Sequence, residues 1–126
     1  MAAASTYLAN KLLDHALNVT SFDMPSAYVA LNTANPTAAG LVGTETSGGS
    51  YARQSASFDS AADGTTQNQD LVLFESLAAA VITHISIWDA DTEGNMLFFG
   101  QLVSPITVTV GDSLAFAAGD IDLAMF

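Results

Sequence analysis

Val81-Ile-Thr-His-Ile-Ser-Ile-Trp88, followed by Asp89-Ala-Asp-Thr-Glu-Gly-Asn95 and then Met96-Leu-Phe-Phe-Gly-Gln-Leu102, reads as strand, polar loop, strand. β-Branched and aromatic side chains dominate both runs, which suits a pleated and half-buried surface. Gly94 or Asn95 can take the positive φ that a hairpin loop of this length needs. Alternation along the first run puts His84 on one face with Ile82, Ser86 and Trp88. Further on, Ile106-Thr-Val-Thr-Val110 alternates cleanly, with Ile106, Val108 and Val110 directed at a core and both threonines outward. Val110-Gly-Asp-Ser113 then turns tightly into Ser113–Phe116, so antiparallel neighbours are expected in the C-terminal half.

Working outward, Tyr28–Thr33, Ala52–Phe58, Leu71–Phe74 and Ile121–Met125 are further strand candidates. Ahead of them stands one helical signal, Ser5 to Leu17. Ser5 or Thr6 can cap it, and Leu8, Leu12, Leu13, Ala16 and Leu17 recur at three- and four-residue spacing. The fold expected is therefore mainly β: an antiparallel β-sandwich or barrel-like domain of six to eight strands preceded by one N-terminal α-helix. A single domain over 1–126 is expected, with the helix in 1–20 and the β-domain over 27–126. Gly/Ser/Ala-rich loops at 35–50 and 60–68 interrupt it. Aperiodic segments of that length in a small domain are usually either mobile or held by a partner, and in an assembly subunit the second is expected.

The chain of 126 residues carries thirteen Asp and Glu against one Lys and one Arg, a formal charge of −11, and no cysteine. Lys11 and Arg53 lie far apart, so no basic face forms to neutralise phosphates; nucleic acid and anionic membrane are excluded as partners. Disulfide scaffolds, thiol nucleophiles and Cys-ligated metals are excluded as well. The N-terminus has no positive n-region and no apolar run reaches a membrane span, so a protein made and kept in its producer's cytoplasm is expected. Charged residues make up only 12% of the chain and hydrophobic ones 50%. So few charges cannot cover a monomer of this size, which predicts apolar surface buried against other chains.

Few constellations carry chemistry. His15, on the helix near Lys11 and Asp14, and His84 both read as packed or interface histidines, since no converging partner is in local reach. Asp89, Asp91 and Glu93 open like a calcium loop of the D-x-D-x-D/N-G type. Gly100 stands where the closing glutamate belongs and the flanks are strands, so a polar hairpin tip is preferred and these three are the weak metal candidates. Asp120 and Asp122, two apart on the last strand, share one face and read as solvated charge. Ser47-Gly-Gly-Ser-Tyr51 lacks the lysine of a phosphate loop and is not a G-x-S-x-G elbow. Arg53, alone among carboxylates, predicts a bidentate buried or interface pair. Phe98 and Phe99 must face opposite ways, which sends one of them toward an interface. Leu8, Leu12, Leu13, Arg53 and Phe99 are the interface candidates; no catalytic residue and no cofactor is expected.

Several stretches, taken in order, resemble small tailed-bacteriophage virion proteins of the tail-fibre-like or capsid-decoration kind. They are Asn10-Lys-Leu-Leu-Asp-His15, Tyr28-Val-Ala-Leu31, Asn35-Pro-Thr37, Gly43-Thr-Glu45 and Ser47-Gly-Gly-Ser-Tyr-Ala-Arg-Gln54. Ile85-Ser-Ile-Trp-Asp-Ala90, Gly94-Asn-Met-Leu97 and Val110-Gly-Asp-Ser-Leu114 follow. The run Ser47 to Gln54 is the most specific. The resemblance implies a non-catalytic virion component, made in the host cytoplasm and placed on the outer surface of the particle. The expectation drawn from it is a capsid decoration or cement protein. It would form a homo-oligomer, expected as a trimer, and bind the major capsid protein to stabilise the assembled shell by mass action. The alternative is a tail or tail-fibre-associated protein involved in host attachment. A third reading, from another class, is a calcium-dependent carbohydrate-binding module using the Asp89–Asn95 loop.

Overall fold

The computed structural model describes residues 2–125. In chain order its elements are β1 (Ala3–Ala4), α1 (Thr6–Ala16), β2 (Tyr28–Asn32), β3 (Gln54–Ser55), β4 (Thr65–Gln67), β5 (Val72–Phe74), β6 (Ala80–Trp88), β7 (Met96–Val108), β8 (Leu114–Phe116) and β9 (Asp122–Ala124). A short 3-10 turn at Val42–Thr44 lies between β2 and β3. A mainly β chain with one N-terminal helix is what the periodicity predicts. No helix of the described residues is long and apolar enough to cross a membrane.

The β6–β7 hairpin is the centre of a five-stranded antiparallel sheet ordered β1-β7-β6-β2-β3. Two short antiparallel pairs, β4–β9 and β5–β8, complete the β structure. Val29, Leu31, Ile85 and Ile87 from the large sheet meet Val72, Phe74, Phe116 and Leu123 from the short pairs in one buried cluster. That is a sandwich-like layout, with apolar burial between layers as its main stabilising term. Ala2 closes one side: its N–H donates to the Asp122 carbonyl and its own carbonyl accepts from Ala124 N–H. Gly100 is required there, because a Cβ at that position would lie 2.8 Å from the Ala2 Cα.

Two strands escape periodicity. β1 is two alanines, and β4 lies inside the segment 60–68 expected to be a loop; both are specified by the strands they pair with. In the opposite direction, Met96–Leu102 and Ile106–Val110 fuse into one strand. Between the pairs His84↔Gln101 and Ile82↔Ile106, β6 advances two residues while β7 advances five. The excess on β7 contains Pro105, which has no N–H to give a ladder, and leaves Val103 fully exposed. This irregularity corrects the face assignment on β6. Ile82 joins Ile85 and Ile87 in the core cluster, whereas Ser86 and Trp88 occupy the other face. Burial of His84 pushes its imidazole below the ordinary value.

Val110 is also displaced from its expected position: β7 ends at Val108, and Val110 is 83% exposed. The Asp112 carboxylate ends the strand by accepting from Thr109 N–H at 2.8 Å and Thr109 Oγ1 at 2.9 Å. Those bonds favour its ionised form and hold its carboxyl below the usual range. A depressed carboxylate contributes stability that is present above its unfolded pKa and is lost as pH falls through the folded one. Acid unfolding from about pH 6 to about pH 2 should therefore lose part of its pH dependence in Asp112→Asn, read as a flatter midpoint curve by circular dichroism.

Candidate functional site

The second face of the large sheet is where most of the chain's unusual polar residues converge. Trp88, Met96 and Ala30 form a small buried cluster there, with Phe99 half-buried against it. Gly40 of the 35–50 segment packs on Met96, which brings that loop over the face. Through the cluster runs a chain of hydrogen bonds. Trp88 Nε1–H donates to Ser86 Oγ at 2.8 Å, and Ser86 donates to Asn32 Oδ1 at 2.8 Å. Asn32 Nδ2 donates to Thr44 Oγ1 at 3.1 Å, and Thr44 donates to the Leu41 carbonyl. Ser86 and Asn32 are fully buried, so each bond offsets a desolvation cost that an unpaired group would leave uncompensated. Among the described residues no buried side-chain nitrogen or oxygen lacks a partner.

Arg53 is the hub of this face. Its Nε and NH2 pair with the two oxygens of Glu45 at 3.0 and 2.8 Å, a bidentate geometry. NH1 donates to the carbonyls of Ala90 and Glu93 at 2.9 and 2.7 Å. The guanidinium lies 4.2 Å from the centroid of the Trp88 ring, within cation–π range. Only 5% of the Arg53 side chain and 15% of Glu45 remain exposed. One side chain thus joins the 35–50 loop, the start of β3 and the tip of the β6–β7 hairpin.

Tyr51 supports the hub. Its hydroxyl donates to Glu45 Oε2 at 2.6 Å and accepts from Leu31 N–H at 3.1 Å, an N–H that the short β3 leaves unpaired. Burial, with the bond to Glu45, pushes the phenol above its ordinary range, so it remains a donor. Its ring stacks on Phe74 at 6.0 Å and 9°. Just before Tyr51, Gly49 at φ +57° lets the chain lie against the Ser76–Ala78 backbone, where a Cβ would sit 2.5 Å from the Ser76 carbonyl oxygen.

The other expected residues are dispersed. Leu8 is buried within its own chain at 4%, Leu12 is half-buried, and Leu13 is 58% exposed. Phe98 packs on the main core while Phe99 faces the Trp88 cluster, opposite ways as strand geometry requires. His15 Nδ1 accepts from Phe22 N–H at 3.0 Å beyond the helix end. Asp120 caps a turn by accepting from Ala117 N–H, and β9 begins only at Asp122, so the two acids are not successive positions of one strand face. Both acids border a depression of about 140 Å³ beside Ala2 and Gly100, and Asp122 also lines one of about 330 Å³ with Asp59, Thr65, Thr66 and Gln67.

In the hairpin tip, Asp89 accepts from Asn95 N–H at 2.7 Å and from Asn95 Nδ2 at 3.1 Å, while Asp91 and Glu93 are exposed. Gly94 allows this closure, since a Cβ there would collide with Asp89 Oδ1. No group of three His, Asp or Glu able to hold a metal ion is found among the described residues. Chelation with EDTA should leave the thermal midpoint unchanged, whereas Asp89→Ala should cost about 1 kcal/mol through the lost turn bonds. A midpoint that drops on chelation would reinstate the cation loop.

Glu45, Tyr51 and Asn32 escape a reading by chemical motif. The one signal for Glu45 and Tyr51 is the resemblance, whose pieces Gly43–Glu45 and Ser47–Gln54 hold both of them and Arg53; Asn32 lies in none of its pieces.

Fold and site together define a small sandwich-like β-protein whose buried polar groups hold its own loops in place. The family follows from comparison: residues 3–124 match the model of podophage GP4 fiber I protein gp80, and the chain belongs to that family of fibre-like phage virion structural proteins. No curated protein matches the chain.

Proposed function

We propose that this chain is a non-catalytic structural subunit of a phage tail-fibre assembly that takes part in host attachment and works as a homo-oligomer. The observation carrying the proposal is the family match over residues 3–124, whose description names a fibre protein. The site agrees in kind: Arg53, Glu45 and Tyr51 are consumed by one another and by backbone carbonyls. Such a clamp makes loops rigid, and a rigid loop surface loses less entropy on docking. The same family name favours the fibre reading over capsid decoration, for which no comparable observation speaks. An outward position on the particle suits the −11 charge, which keeps a crowded surface soluble.

Gold-labelled antibody against the protein, applied to purified particles and viewed by electron microscopy, tests this. Label confined to the tail supports the fibre subunit. Even label over the head would overturn it in favour of a cement bound to the major capsid protein.

A further inference from the structure

We infer that the exposed face of α1 is the seam through which copies of this chain associate, a step that rests on the homo-oligomer reading above. At 100° per residue Leu8, Leu12, Ala16, Ala9, Leu13 and the C-cap Leu17 follow one another around a single apolar arc of about 180°. Leu8 and Leu12 turn inward, where Leu8 is buried and Ser5, the N-cap, bonds to the Met96 carbonyl of β7. Ala9, Leu13, Ala16 and Leu17, at i, i+4, i+7 and i+8, extend that arc away from the sheet. Leu13 and Leu17 there are 58% and 71% exposed, and Val19 just beyond is 71% exposed. An apolar arc this wide is normally covered across its whole width, and here the chain itself covers only the Leu8–Leu12 half.

Charge selects the occupant. Residues 1–22 contain one cation, Lys11, and one acid, Asp14, so the whole −11 of the chain lies beyond residue 22. Two copies approaching through their β-domains bring two net charges of −11 together. Through α1 they meet without net repulsion, and Ala9 and Ala16 let the helices come close. A partner with a basic surface would be drawn to the acidic β-domain, leaving this stripe uncovered. A second copy supplies a matching neutral apolar stripe. Because α1 is only 11 residues long, the seam is small and should fill at raised concentration, as in an assembled fibre.

The cysteine-free chain makes the test direct. The full-length protein is followed by light scattering from about 10 µM to about 500 µM, beside Leu13→Asp/Leu17→Asp. Single variants Leu17→Cys and, as a control on the exposed β7 irregularity, Val103→Cys are oxidised and run on non-reducing gels. Expected are association of the wild type, at least tenfold weaker association of the double variant with an unchanged circular dichroism spectrum, and covalent dimers from Leu17→Cys alone. An oligomer that survives the double variant, or cross-links only through Val103→Cys, overturns the α1 seam and leaves self-association standing. A wild type that stays monomeric throughout overturns both.

Discussion

Arg53→Ala is expected to destabilise the fold by about 3–5 kcal/mol, the usual cost of removing one partner from a buried ion pair. The size follows from what remains. Glu45 keeps its place with 15% of its side chain exposed, now without its counter-ion. The carbonyls of Ala90 and Glu93 lose their donor, and Trp88 loses the cation over its ring. Against a total of about 5–15 kcal/mol for a domain this size, such a loss should be visible as a large fall in the urea midpoint. Arg53→Lys should recover only part of it, because an ammonium cannot span both oxygens of Glu45 while reaching the hairpin. An Arg53→Ala midpoint within error of the wild type would refute the hub.

Phe74→Ala should cost a similar amount, about 3–5 kcal/mol, by opening a cavity in the main core. Phe74 is fully buried, stacked on Tyr51 and edge-on to Phe116 at 6.4 Å and 87°. It is the contact through which the β5–β8 layer reaches the clamp on the other side, since Tyr51 in turn holds Glu45. Losses in Phe74→Ala and Arg53→Ala should therefore combine non-additively, by at least about 0.5 kcal/mol in a double-mutant cycle of urea unfolding. Phe74→Leu, which keeps much of the volume, should cost clearly less. Full additivity would mean that core and clamp are independent.

Both predictions turn on residues that the sequence treats very differently. Phe74 is legible as core from its place in an apolar run. The pairing of Arg53 is legible in kind, because a lone guanidinium in so acidic a chain has an excess of carboxylates to meet. Which carboxylate it meets is not legible. Glu45 lies eight residues away across the Gly48–Gly49 turn, and the Ala90 and Glu93 carbonyls come from a hairpin nearly forty residues on.

Local pattern alone determined that this is a mainly β chain with one capped N-terminal helix, and placed most of its strands, because a period of two or of 3.6 is written in consecutive residues. It also set the net charge of −11 and the absence of cysteine, since composition is independent of folding. Only the tertiary structure decided that Ile82 turns into the core, that two alanines and Thr65–Gln67 become strands, and that Leu8 is buried while Leu13 is left outside. Those outcomes depend on pairing across long stretches of chain: a proline-bearing irregularity in β7 resets the faces of β6, and the packing of α1 on β7 covers the Leu8 side of the helix's apolar arc and leaves the Leu13 side outside.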